Sequence, residues 1–346
     1  MINNMYADYY VNTLSENERK FSFKANNPHE VKEWQDEFRQ ELMEILGIPK
    51  IIARGICQLN PVCINTVKLD DHIREEWEIT SEPGYRIPFY VLKPLEQKEP
   101  LPLVIAVHGH GKYAKDTYVG ILHNEEDRIQ TVRGERDIAL QAVREGYIAI
   151  APDQRGFAKT RSQKDIEEDN KTSCRTMQMH ALLFGRTLIG ERAYDISRII
   201  DYAATRTDID SEKIVVTGNS GGGTTTLFAA AVDTRISVAI PSCYFCTFEG
   251  SIGSMWHCMC NYVPGIMTLG EMYDVAGLVA PRPFLAVAGR QDHIFPITAT
   301  EKAFEELCKV YKAAGFPKRC ELYVGEGGHR YYKARVWPFV KEWLGV

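Results

Sequence analysis

The sequence has no long hydrophobic run, no strongly basic stretch and no internal repeat. None of its 346 residues belongs to an uncharged apolar run of about 18 residues, the length of a membrane span, and residues 1–20 lack a basic region followed by an apolar one. We therefore expect no membrane partner and no secretion signal. Lys plus Arg number 41 against 46 Asp plus Glu, a net charge of −5, which argues against a nucleic-acid partner.

The cysteines show no pattern of disulfide pairing. There are nine, an odd number, scattered over a chain long enough to bury a core without crosslinks. This usage predicts reduced thiols in a cytoplasmic protein.

Four of these cysteines lie close together and raise the question of a zinc site. They are Cys243, Cys246, Cys258 and Cys260, with His257 beside them. The last pair has C-x-C spacing, unlike the C-x2-C pairs of structural zinc sites, and the surrounding stretch is apolar. We therefore interpret them as small buried hydrophobic side chains and expect no metal and no cofactor.

The stretch from 213 to 232, KIVVTGNSGGGTTTLFAAAV, is the most informative part of the chain. A β-branched run breaks into Gly218-Asn219-Ser220-Gly221-Gly222 and then into an Ala-rich segment, which predicts a strand, a tight turn and a helix. In the pattern G-x-S-x-G, Ser220 would lie on a strained turn with its hydroxyl exposed above a sheet. The alternative is that Ser220 only caps the following helix.

The rest of the chain alternates strand and helix patterns. Residues 28–47 predict an amphipathic helix, and three alternating stretches between about 62 and 93 predict an antiparallel ladder with a hairpin at 82–84. A buried strand at 103–107, a helix at about 133–145 and a strand at 147–151 form a βαβ unit. Further strands at 284–288 and 320–324 complete a mostly parallel sheet with helices on both faces.

Two residues downstream of Ser220 complete a candidate catalytic triad. Asp292 follows the strand at 284–288 in the turn GRQD, and His329 follows the strand at 320–324 in the loop GEGGH. Because the carboxyl ends of parallel strands open on one side of a sheet, these side chains can converge on Ser220. The serine needs a base, and the base needs an acid that fixes its tautomer. The alternatives are a turn-forming Asp292 and an idle loop His329.

The same chemistry requires donors for an oxyanion. Gly221, directly after the nucleophile, offers a backbone N–H at a helix N-terminus, and we expect the second N–H from His110 in the loop HGHG. We expect His108 to pack or bond locally, and Arg155 to form a salt bridge or a turn.

The motifs HGHG, DQRGFAKT, GNSGGG, APRPFLAVAGRQD and GEGGH, spread over residues 103–343, resemble the α/β-hydrolase superfamily. The order Ser, acid, His is also the order of that fold. The chain is most similar to bacterial carboxylesterases of the kind that includes acetyl xylan esterases, dienelactone-hydrolase-like proteins and the prolyl oligopeptidase catalytic domain. It departs from dienelactone hydrolases, whose nucleophile is Cys where this chain has Ser220.

The resemblance implies an α/β-hydrolase fold and a serine hydrolase that cleaves carboxylic esters through an acyl-enzyme, with an acetyl or other short-acyl carbohydrate ester as candidate substrate. A peptidase of the prolyl oligopeptidase kind and a non-catalytic binding module on a hydrolase scaffold are the alternatives. We expect an N-terminal helical extension at 1–60 that packs on a catalytic domain at 61–346, with an insert at about 241–270. The insert is aromatic, and we expect it to form a wall of the substrate pocket; the alternative is that it extends the core. The expected partner is a small-molecule ester. The sequence is also compatible with a homo-oligomer.

Overall fold

The computed structural model describes residues 19–345. Nine strands in this part of the chain form one sheet: β1 Val62–Lys68, β2 His72–Glu82, β3 Tyr85–Pro94, β4 Leu101–Val107, β5 Ile148–Pro152, β6 Ile209–Asn219, β7 Val238–Ser242, β8 Phe284–Gly289 and β9 Cys320–Gly325.

The order of the strands across the sheet is β1-β2-β3-β5-β4-β6-β7-β8-β9. The first three strands and β5 pair antiparallel, whereas all pairs from β5 through β4 to β9 are parallel. The hairpin expected at 82–84 joins β2 to β3, with Glu82 opposite Tyr85. The predicted mostly parallel α/β-hydrolase sheet with antiparallel edge strands is therefore confirmed.

Thirteen α-helices accompany the sheet in the described residues: α1 Pro28–Leu46, α2 Ile48–Ile52, α3 Ala114–Tyr118, α4 Glu125–Gly134, α5 Ile138–Arg144, α6 Gln163–Glu167, α7 Cys174–Leu183, α8 Leu188–Ala203, α9 Gly221–Val232, α10 Ile266–Leu269, α11 Met272–Gly277, α12 Ile297–Ala313 and α13 Lys333–Leu344. Short 3₁₀ turns lie at Ala158–Thr160, Met259–Asn261 and Pro317–Arg319. The prediction of a single helix at 133–145 is wrong. The chain breaks there into α4 and α5 because Glu135 adopts a left-handed conformation with φ of 50°.

The central strands are buried on both faces, as their continuous apolar sequences predict. In β4, Leu103 and Ile105 contribute to one core, and Val104 and Ala106 contribute to a second core on the opposite face. The alternation follows from the period of two along a strand. The sheet therefore separates two cores.

Helix α1 packs across the sheet domain. It begins after Asn27, whose side chain accepts the N–H of Glu30, and it buries an apolar stripe that includes Phe38 and Leu42. The Gln35 amide donates to the carbonyls of Gly277 and Ala280 at 2.8 and 2.7 Å. These bonds hold the helix against α11. Residues 1–18 of the expected 1–60 extension lie outside the described residues.

The segment at 241–270 is mainly core. Tyr244, Phe245 and Phe248 are buried and belong to the larger of the two cores. Trp256, by contrast, is 85% exposed. Burial of a large aromatic side chain is favourable in free energy. Most aromatic residues of this segment accordingly lie in the core.

No helix in the described part of the chain combines the length and the apolar character that a membrane crossing requires.

Candidate active site

Ser220 lies on the sharp turn between β6 and α9, as the sequence predicts. Its φ of 58° and ψ of −119° are a strained conformation for a residue with a Cβ atom. Its backbone N–H donates to the carbonyl of Ser242 at 2.8 Å, which ties the turn to the end of β7. The side chain is half-buried and lines a cavity.

The two glycines of the motif allow the turn to approach β4. A Cβ atom on Gly218 would lie 2.2 Å from the carbonyl oxygen of Val107, and one on Gly222 would lie 1.9 Å from the same oxygen. Both distances are far below van der Waals contact, and the obstructing atom is backbone. Glycine at these positions therefore serves close packing of strand and helix.

Asp292 and His329 meet at the same edge of the sheet, after β8 and β9. The Nδ1 atom of His329 lies 2.7 Å from Oδ2 of Asp292. Since an ionised carboxylate can only accept, Nδ1 carries the proton, and Nε2 is the nitrogen left for a serine hydroxyl. His293, next in sequence, is exposed.

The surroundings of Asp292 favour its ionised form. Its other oxygen, Oδ1, accepts the backbone N–H groups of Ile294 and Phe295 at 2.8 and 3.2 Å. Burial would raise the pKa of Asp292, but the hydrogen bond and charge of His329 and these two N–H groups outweigh burial, so the pKa lies below its ordinary value. The acid is thus a carboxylate at neutral pH.

The loop after β4 brings two histidines to the site with different environments. His108 is buried, and burial lowers its pKa to about 3. Its Nε2 accepts the N–H of Gln154 at 2.9 Å, which confirms the expected local anchoring role. His110 lines the cavity with Ser220, and its Nε2 lies 3.5 Å from Sγ of Cys260. Nothing in the local sequence indicates that this imidazole contacts cysteines.

Gly221 and the HGHG loop, which carry the predicted oxyanion donors, lie next to each other. Gly221 is the first residue of α9, whose opening N–H groups have no partner within the helix. A Cβ atom at Gly221 would lie 2.7 Å from Nδ1 of His110, so the loop and the helix start are in direct contact. The role of their backbone N–H groups as oxyanion donors stays a prediction.

The cavity at Ser220 is small, about 80 Å³. Besides Ser220 and His329, its wall includes His110, Tyr118 and Arg136. The lining of this cavity includes no residue of the 241–270 segment, and the expectation that this segment forms a wall of the substrate pocket stays a prediction. Most of the wall comes from the chain between β4 and α5.

A larger and more polar cleft of about 300 Å³ adjoins this cavity. The two share His110 and Arg136, and the cleft adds Tyr113, Asn124 and Gln130. No ion pair with the Arg136 guanidinium occurs among residues 19–345. Arg136 was not singled out in the sequence because nothing in its local pattern marks it as a pocket residue.

Arg155 takes the expected salt-bridge role and does not reach the cavity. Its buried guanidinium donates to Glu82 at 2.6 Å and to Asp195 at 2.8 Å. It joins β2 to α8 below the site. Cys243 lies next to the triad, with its Sγ 3.1 Å from the carbonyl of Arg330. Burial raises the pKa of this thiol to about 12, so it stays protonated.

The sheet order, the turn at Ser220 and the Asp292–His329 pair define an α/β-hydrolase. The sequence profile of the Abhydrolase family matches residues 9–322, and the chain belongs to that family.

Two relatives are similar to the chain over different lengths. The candidate hydrolase YtaP of Bacillus subtilis (strain 168) is 25% identical over 317 residues, which cover 89% of this chain and 99% of YtaP. The 4-O-methyl-glucuronoyl methylesterase 1 of Wolfiporia cocos (strain MD-104) is 26% identical over 200 residues, 49% of each chain.

Among solved structures, a candidate acetyl xylan esterase (BF1801) of Bacteroides fragilis NCTC 9343 superposes with a TM-score of 0.83 at 19% identity, covering 100% of this chain and 96% of its own. A glucuronoyl esterase from Solibacter usitatus gives a TM-score of 0.65 at 14% identity, covering 90% of this chain and 93% of its own. The predicted superfamily and fold are confirmed, and these relatives support the predicted cleavage of carboxylic esters.

Proposed function

We propose that the protein is a serine esterase that removes a short acyl group, such as acetyl, from a carbohydrate. The observation that carries the proposal is the 2.7 Å contact between His329 and Asp292 at a cavity that also contains Ser220 on its strained turn. This is the arrangement that activates a serine hydroxyl as a nucleophile.

In this reaction His329 Nε2 takes the proton of the Ser220 hydroxyl while Oγ attacks the ester carbonyl carbon. The carbonyl oxygen becomes an oxyanion that accepts the N–H groups of Gly221 and His110. Collapse breaks the bond to the alcohol, which leaves with the proton from His329. A water molecule then gives a proton to His329 and attacks the acyl-enzyme, and return of the proton to Ser220 releases the acid.

Cavity size supports a short acyl group. About 80 Å³ is small against the roughly 300–1,000 Å³ of sites for drug-sized ligands. A long acyl chain does not fit there without displacement of Tyr118 or the HGHG loop. The adjoining cleft of about 300 Å³ is polar and offers hydrogen-bonding groups to the hydroxyls of a sugar.

In a second candidate reaction, the sugar supplies the acid part of the ester instead of the alcohol part. The Wolfiporia cocos relative is a methylesterase of a glucuronoyl group, in which the sugar carries the acyl carbon and methanol leaves. The small cavity would then hold the methyl group, and Arg136, which lines both spaces, would suit an acidic sugar. The esterase relatives do not favour a peptidase or a non-catalytic binding module.

One substrate panel tests these assignments. Purified protein is given p-nitrophenyl acetate, butyrate and octanoate, acetylated xylo-oligosaccharides, a methyl ester of glucuronic acid and an aminoacyl p-nitroanilide. We expect acetate to be released from the acetylated oligosaccharide and kcat/KM to fall at least about tenfold from acetate to octanoate. Release of methanol alone would select the second reaction. Turnover of the anilide alone would contradict both. The predicted cytoplasmic location and the division at residue 60 stay proposals.

A further inference from the structure

Three cysteines and a histidine from distant parts of the chain form one compact group, here called the thiol–imidazole cluster: His110, Cys174, Cys258 and Cys260. Their four ligand atoms all lie within 4.8 Å of one another. His110 comes from the loop after β4, Cys174 begins α7, and the other two flank Met259 in a 3₁₀ turn. Cys174 and Cys260 are buried.

The spacing within the cluster matches tetrahedral zinc. With Zn–S of about 2.3 Å and Zn–N of about 2.0–2.1 Å, tetrahedral geometry places two sulfurs about 3.8 Å apart and a sulfur and a nitrogen about 3.6 Å apart. The His110 Nε2 atom lies 3.5 Å from the Sγ of Cys260 and 3.9 Å from the Sγ of Cys174. The sulfurs of Cys258 and Cys260 are 3.4 Å apart.

An adjacent buried arginine supplies a second, independent observation. Arg192 is 2% exposed, and its Nη2 lies 3.2 Å from the Sγ of Cys174. Its other hydrogen bonds go to the carbonyl of Arg155, and within residues 19–345 no carboxylate is at ion-pair distance from its guanidinium. A buried cation needs a negative partner. Three thiolates around a divalent ion carry a net charge of −1, which the arginine balances.

Neutral thiols in a hydrophobic core do not explain this arrangement. They would leave Arg192 without a counter-charge, and they would not require the His110 imidazole within 4 Å of two of the sulfurs. We therefore revise the expectation that these cysteines are only small buried side chains. The set that forms the cluster also differs from the one considered in the sequence: Cys243 and Cys246 bond instead to the carbonyls of Arg330 and Pro296.

We propose that the thiol–imidazole cluster binds one Zn²⁺ ion through three thiolates and the Nε2 atom of His110. Cys₃His is a closed ligand set of the structural kind. The ion would join the HGHG loop to α7 and to the 258–260 turn, and so fix the position of the backbone next to Ser220. The proposal stands on the cluster itself and does not depend on the proposed esterase activity.

Metal analysis of the full chain tests the site. Protein purified from zinc-supplemented medium without a chelator is expected to contain about one zinc per chain. After exchange for Co²⁺, we expect the absorption of tetrahedral cobalt with strong thiolate-to-cobalt charge-transfer bands. The variants Cys174→Ser and Cys258→Ser should each retain less than about a tenth of the metal. Cys63→Ser, which removes an exposed thiol outside the cluster, is the matched control and should retain all of it.

The unmodified protein keeps the test decisive even if a serine variant fails to fold. Thiol titration of the native protein should show three cysteines that react only after a strong chelator is added. The proposal is overturned if the unmodified protein contains no stoichiometric metal and gives no charge-transfer bands with Co²⁺. It is equally overturned if peptide mapping finds a disulfide within the cluster, or if both serine variants keep their metal.

Discussion

Ser220 has a backbone conformation that costs on the order of 1–3 kcal/mol for a non-glycine residue. The cost is offset by the elements that fix the turn, namely β6 on one side, α9 on the other and the hydrogen bond to Ser242. A strained residue held this firmly suggests a functional reason for the strain. The Ser220 hydroxyl, which lines the cavity, is the group on which the proposed chemistry depends.

The role of Asp292 is tested by Asp292→Asn. An amide in place of the carboxylate can hold Nδ1 of His329 in the unprotonated state, which leaves the wrong tautomer toward Ser220. We expect kcat for p-nitrophenyl acetate to fall by on the order of 10⁴, the loss known for the corresponding change in the serine protease triad. The melting temperature should change little. His293→Gln, at the exposed neighbour, is the matched control and should keep full activity; an active Asp292→Asn would show that another residue is the acid.

Asp274 is a buried acid outside the site whose pKa gives a pH-dependent contribution to stability. Its oxygens accept the N–H groups of Phe23 and Glu271 at 3.1 and 2.8 Å. Burial raises its pKa to about 7. Because the folded state then binds this proton more tightly than the unfolded state, where the pKa is about 3.9, the contribution is greatest at low pH and is lost as pH rises through about 7.

Relative to Asp274→Asn, the wild-type protein should therefore lose roughly 2–3 kcal/mol of unfolding free energy between about pH 5 and about pH 8. Urea unfolding of both proteins at the two pH values measures the difference. Asp70→Asn, at an exposed position, should show no such pH dependence relative to the wild type. A difference of the opposite sign would mean that Asp274 is stabilised as the carboxylate by its two N–H donors.

At the scale of elements, the contact between α9 and β4 depends on glycine at 222. Alanine normally favours a helix over glycine by about 1 kcal/mol. Here its Cβ atom would meet the Val107 carbonyl at 1.9 Å, so strand or helix must shift. We expect Gly222→Ala to lower the free energy of unfolding by at least about 2 kcal/mol net. Gly111→Ala, which meets no atom within 4 Å, should melt like the wild type.

The 241–270 segment has two kinds of aromatic residue, which gives a second test at this scale. Phe248 is 3% exposed and belongs to the core, whereas Trp256 is 85% exposed. Phe248→Ala should cost about 3–5 kcal/mol of unfolding free energy, and Trp256→Ala should be close to neutral. Thermal or urea unfolding compares them directly. Equal and small losses would show that the segment is not part of the core.

At the scale of the whole molecule, the sequence predicts the sheet and the positions of the candidate triad for one physical reason. Continuous apolar runs mark buried parallel strands, and the residues that follow such strands meet at one edge. Asp292 and His329 were found in this way. The break at Glu135 was missed because it depends on the backbone conformation of one residue and not on a pattern of side chains.

The pocket wall and the thiol–imidazole cluster were harder to predict because they depend on contacts between distant segments. His110 and Cys260 are separated by 150 positions in sequence, and each lies in a stretch that has no metal-binding spacing of its own. An aromatic segment likewise has the same composition whether it covers a pocket or extends a core. Only the packing of the folded chain distinguishes these alternatives.

The most direct test of the account is the site at which a fluorophosphonate modifies the protein. Such reagents phosphonylate a serine only when a base and an oxyanion site activate it. Peptide mapping by mass spectrometry of the labelled wild-type protein should find one adduct, on Ser220, with loss of esterase activity in proportion to labelling, and Ser220→Ala should remain unlabelled yet folded. Labelling of another serine, or full esterase activity in Ser220→Ala, would contradict the assignment of Ser220 as the nucleophile.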